Sequence, residues 1–70
     1  MIWTEVKYEG YDFCIMSGKY QIRRKGERVA LYLYAGSLGF HRIGWRDSVG
    51  DAMFSAWILE LEKRRKHEQY

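Results

Sequence analysis

Apolar and polar residues alternate with a period of two along residues 2–8, 11–16 and 20–34, and the period then lengthens to that of a helix after Ser48. The first pattern predicts half-buried β-strands and the second an amphipathic α-helix. The clearest segment is residues 19–34, KYQIRRKGERVALYLY. A two-residue turn at Lys25-Gly26, with the glycine accepting positive φ, closes it as a hairpin. In that register Ile22 faces Val29 and Tyr20 faces Leu31, and Leu33 continues the same apolar face. Lys19, Gln21, Arg23, Arg28, Ala30, Tyr32 and Tyr34 share the other face, with Arg23 opposite Arg28. Like charges directly opposite one another destabilise a sheet, so the pair calls for a neutralising group or a partner.

Two further turns extend the meander toward the N-terminus. Glu9-Gly10 pairs Tyr8 with Tyr11, Val6 with Phe13, Thr4 with Ile15 and Lys7 with Asp12. Ser17-Gly18 then pairs Ile15 with Tyr20 and Phe13 with Ile22, which keeps one apolar face across both hairpins and brings Asp12 beside Arg23. On the C-terminal side, a loop of Ala35-Gly36-Ser37 sets Val29 against Ile43 and turns Phe40 and Arg42 outward. The alternative loop, Gly36-Ser37, would bury Arg42, an unpaired charge. Gly36, Gly39 and Gly44 predict a short or bulged last strand.

Ser48 has the character of an N-cap, with Asp51 three residues on. The helix is expected from about Val49 to about Lys66. Val49, Ala52, Met53, Ala56 and Trp57 recur at helical spacing as its core face. Phe54, Ile58, Leu59 and Leu61 widen the stripe, as for a helix set deep across a curved sheet, although Ile58 or Leu59 meeting another chain gives the same pattern. Glu60/Arg64 and Glu62/Lys66 stand in the favourable i,i+4 order, and the run Lys63–Lys66 complements the C-terminal helix dipole. His67 is expected at a solvated helix end. The predicted fold is a single α+β domain over residues 1–70: an antiparallel β-meander of four to five strands with one C-terminal α-helix packed on one face.

Composition narrows the function. The single cysteine, Cys14, excludes an internal disulfide and fits a reducing compartment. Cys14, His41 and His67 lack zinc spacing. Neither a nucleophile–base arrangement nor a glycine-rich phosphate loop is present, so a non-enzyme without cofactor or metal is expected. There is no apolar run of leader or bilayer-spanning length, and the expected location is cytoplasmic. The net charge of +3 is concentrated in Lys19, Arg23, Arg24, Lys25 and Arg28.

The face away from the helix is the expected binding surface. Its most aromatic row holds Trp3, Met16, Lys19, Tyr32 and Phe40, with Tyr34 beyond and Arg23, Arg28 and Arg42 in neighbouring rows. Trp, Tyr, Met and Arg are the residue types enriched at interfaces. Three occupants compete for such a patch: a protein partner, nucleic acid stacked on the aromatic rings, and a second copy of the chain in a homodimer. Mixed-in acids favour a protein.

From Lys19 onward, three strands and a helix carry Ile43-Gly44, Asp47-Ser48 and Asp51-Ala52 at the strand end, cap and helix start. Over residues 19–60 this resembles AP2-type DNA-binding domains and the N-terminal domains of phage and transposon integrases. The resemblance implies that Arg23, Arg28 and Arg42 are counterparts of DNA-contacting sheet residues, while Arg46 departs from the family's apolar core position. In size and composition the chain is also like small accessory proteins of phages and mobile elements. That likeness implies a stoichiometric inhibitor of a host defence or nucleic-acid-handling complex, of the anti-CRISPR kind. Direct DNA or RNA binding through the basic hairpin 19–28 is the alternative.

Overall fold

A computed structural model describes the backbone of residues 1–68 and the side chains through Arg65. The expected Glu62/Lys66 pairing and the solvated end at His67 lie outside the described side chains. Five strands form one antiparallel sheet in chain order: β1 (Thr4–Glu5), β2 (Phe13–Ser17), β3 (Tyr20–Lys25), β4 (Arg28–Tyr34) and β5 (Phe40–Arg46). One helix, α1 (Val49–Glu68), packs on one face against β3, β4 and β5. Among the described residues no helix is long and apolar enough to cross a membrane.

The apolar face of β2–β4 is the expected one, but its pairing is offset. Ile15 lies opposite Ile22, Ile22 opposite Leu31, and Tyr20 opposite Leu33. The turns are Gly18-Lys19 and Gly26-Glu27, one residue later than expected. In each, glycine holds the first central position, with φ of +57° and +59°, and among the described residues no non-glycine residue has positive φ. That is the II′ arrangement, which demands positive φ only at its first central residue. The I′ alternative would force Ser17 and Lys25 into that region as well. Moving each turn by one residue shifts the pairing by two, and with a side-chain period of two every residue keeps its face. The shift does change neighbours: Arg23 faces Ala30 rather than Arg28, and the like-charged pair at the hairpin end is Lys25 and Arg28.

Two other slips are of a single residue, and these exchange faces. The chain turns at Tyr8–Tyr11, where the Tyr11 amide donates to the Tyr8 carbonyl. The return arm then holds one residue more than a tight hairpin, so Thr4 pairs with Met16 and Glu5 with Ile15. Trp3 therefore packs against the helix-side core rather than on the open face. Lys7 and Asp12 are not paired strand residues; the Asp12 carboxylate accepts from the Gly26 amide at 2.7 Å instead of lying against Arg23. In the last hairpin the loop spans residues 35–39 rather than 35–37, so Tyr34 faces Phe40 and Tyr32 faces Arg42 in place of the expected Tyr32–Phe40 and Ala30–Arg42 pairs, while these side chains keep the expected outward face. A bulge then leaves Ile43 unpaired, so that Leu31 meets Gly44, Ala30 meets Trp45 and Val29 meets Arg46. The expected Val29–Ile43 pair is not formed. Trp45 turns to the open face, and Arg46 turns to the helix, where its Nε donates to Ser55 Oγ at 2.7 Å.

The core is Ile15, Tyr20, Ile22, Val29 and Leu31 from the sheet with Ala52 and Ala56 from the helix, flanked by Trp3, Phe13, Leu33, Val49 and Met53. Helix initiation follows the sequence: the Asp51 amide donates to Ser48 Oγ at 3.1 Å. Farther along, the Tyr20 hydroxyl donates to Glu60 at 3.2 Å. Because the contact stripe runs through two alanines, the helix lies close to the sheet and covers a narrow strip. Trp57, expected in the core, is instead exposed, as are Phe54, Leu59 and Leu61, and the deep setting anticipated for the helix does not occur.

Gly26→Val should lower stability by about 1–3 kcal/mol from backbone strain alone, since a Cβ there meets nothing within 4 Å. Urea unfolding of the variant checks this, and a midpoint equal to the parent's would contradict the turn assignment.

Candidate interaction face

The sheet surface opposite the helix has a closed centre and an open side. At the centre is Arg23, only 8% exposed, beside the buried Cys14, Gln21 and Ala30. Its Nε donates to Gln21 Oε1 at 2.5 Å. Its guanidinium carbon lies 4.0 Å from the ring centres of both Tyr8 and Tyr32, 5.3 Å from Tyr11 and 5.9 Å from Phe40. Tyr32 and Phe40 come from β4 and β5. Tyr8 and Tyr11, themselves packed edge to face at 5.6 Å, come from the segment that leaves β1 and folds over the sheet. The cation is thus stabilised by ring faces, a contact that contributes about 2 kcal/mol or more when desolvated.

The phenols in this cluster are electrostatically unequal. A hydrogen bond with Tyr32, then one with Arg23, holds the Tyr11 hydroxyl below the usual tyrosine range. Burial, then the hydrogen bond with Tyr11, pushes Tyr32 above it. Tyr20, on the helix side, is raised by burial and then by its bond to Glu60. Cys14, buried on the same face, is raised mainly by burial.

The open side is built on β4 and β5. Trp45 is 51% exposed. The Arg42 guanidinium carbon sits 4.4 Å from its ring centre and that of Arg28 5.7 Å away. Along the same face Tyr34 and Phe40 pack edge to face at 5.3 Å, with Tyr34 exposed. β5 ends the sheet, so its outer edge has no neighbouring strand among the described residues.

Seven of the nine residues anticipated at the binding face fall into three groups. Arg28, Tyr34 and Arg42 are exposed on it; Tyr32, Phe40 and Met16 are half-buried within it; and Lys19 is exposed in the Gly18-Lys19 turn at its margin. Arg23 lies on this face but is enclosed by rings, and Trp3 is on the opposite one. Trp45, Tyr8 and Tyr11 were not anticipated. The glycines around β5 signal an irregular strand, but alternation alone cannot place the bulge that turns Trp45 outward. Among the described residues no three of His, Cys, Asp and Glu converge as a metal site. Comparison of the chain with family models, with curated proteins and with solved structures finds no match.

Arg23→Ala should destabilise the fold, and an Arg23/Tyr8 double-mutant cycle should give a coupling of roughly 0.5–2 kcal/mol; a coupling of zero would remove the stacking role. In alkali, Tyr32 and Tyr20, whose folded values lie above 10.0, contribute stability that is fully present below that pH and lost as pH rises through the folded values. Tyr11, shifted the other way, gains stability as pH approaches 10.0. Tyr32→Phe should therefore flatten the fall in urea midpoint above pH 10.0, a change read directly from unfolding curves on either side of it.

Proposed function

We propose that this chain is a non-catalytic binding protein that docks a protein partner through the β4–β5 side of its open sheet face, with Trp45 as anchor and Arg28, Arg42 and Tyr34 around it. The observation that carries the reading is an indole left half-exposed between two guanidinium groups on the sheet face opposite α1. An exposed tryptophan flanked by arginines has the composition of an interface hot spot, and cations over its ring favour a partner that presents carboxylates around an apolar contact. A domain of this size, bound stoichiometrically, can block a larger assembly by occupying its surface. That is how the reading extends to inhibition of a defence or nucleic-acid-handling complex.

Nucleic acid is the second reading, favoured by the same Arg28–Trp45–Arg42 group, which can hold phosphates around a stacking ring. The enclosure of Arg23 weighs against it, because that guanidinium is occupied by the protein's own rings. The basic groups left on the open face are fewer than the sequence suggests.

Affinity capture from lysate of the source cell, with and without nuclease, separates the two readings. A protein partner retained after nuclease treatment, and weakened by about 2 kcal/mol or more in Trp45→Ala, is the expected result. Tight binding of random-sequence DNA or RNA would replace the first reading with the second, provided its salt slope falls by about one unit in Arg28→Ala and in Arg42→Ala.

A further inference from the structure

The open sheet face leaves a second apolar surface unexplained, on the far side of α1. Phe54 is 60% exposed, Trp57 47% and Leu61 38%, with Ile58 half-buried between them. Their i, i+3, i+4, i+7 spacing makes one continuous stripe, distinct from the Ala52/Ala56 stripe that meets the sheet. Phe54 and Trp57 touch, ring centres 6.0 Å apart. Single exposed apolar residues are ordinary on a protein surface, whereas an aligned set on one helix marks an interaction surface.

The order of the stripe indicates its partner. Phe54 and Leu61 lie equally far from the midpoint between Trp57 and Ile58, so the stripe is its own complement when reversed. We infer that two copies of this chain associate by packing these helix faces antiparallel about a two-fold axis near that midpoint. The rotation sets Phe54 against the partner's Leu61 and brings Trp57 and Ile58 beside their own copies at the axis. The charges agree with the same operation: Asp51, in the first helical turn, comes level with the partner's Arg65 on the same flank, and both are exposed. Antiparallel helices also place the positive end of each dipole beside the negative end of the other. An isologous contact is the arrangement a self-complementary patch generates, and it closes at two copies.

The association lies on the opposite side of the molecule from Trp45, so it stands or falls independently of the function proposed above. Sedimentation equilibrium of the full chain from micromolar to millimolar concentration reads it. The expected result is a reversible monomer–dimer equilibrium whose dissociation constant rises roughly tenfold or more in Phe54→Glu and Leu61→Glu, with circular dichroism unchanged, and is unaltered in Trp45→Ala. Charge reversal supplies a readout that does not depend on the apolar substitutions. Asp51→Arg and Arg65→Asp should each weaken self-association, and mixing the two variants should restore it, because both cross-helix pairs are then of opposite sign. A parent chain monomeric throughout, a dimer untouched by Phe54→Glu, or single charge variants that fail to complement one another would each overturn the inference. So would lipid vesicles bound through this stripe by a strictly monomeric chain.

Discussion

A guanidinium enclosed by aromatic rings is the constraint on which much of this small domain depends. Arg23 sits in the middle strand of the sheet, where both faces are covered, and its contacts are an amide oxygen and the rings of Tyr8, Tyr11, Tyr32 and Phe40. A desolvated cation without such contacts would cost far more than a chain of this size can offset. The rings therefore do more than cover the sheet. They give the segment between β1 and β2 a reason to fold back across it, and they tie β5 to β3 through side chains two strands apart. The phenols adjust to the charge in turn: Tyr11 is held toward its ionised form and Tyr32 away from it.

The opposite face solves a different problem by ordinary means. Ile22 and Leu31 are completely buried, and Ala52 and Ala56 let the helix backbone approach them. Small residues at the contact make the packing close and also narrow. The larger helix residues, Phe54 and Trp57 among them, are carried past the edge of the contact and left in solvent. The same trade appears at β5, where the bulge at Ile43 directs Arg46 inward to Ser55 and leaves Trp45 outside. Trp45 and the Phe54/Trp57 pair are thus left in solvent by how the core is closed, one group on each side of the sheet, and each is available for contact with another molecule.

The local chemistry of the chain determined the elements and most of their faces. Glycines at the turns, alternation along β2–β4 and Ser48 before an apolar period are short-range signals, and they specify a meander followed by a capped helix. Even the misplaced turns left the core face correct, because a two-residue offset preserves the alternation. Only tertiary structure decided what depends on odd offsets and on long-range distance. One extra residue before Cys14 moved Trp3 to the core side, and one bulged residue at Ile43 moved Trp45 to the open face. The enclosure of Arg23 needs four rings from three separated segments to meet around one charge. No local preference encodes that meeting, since it follows from which strands are neighbours and how the chain crosses over them.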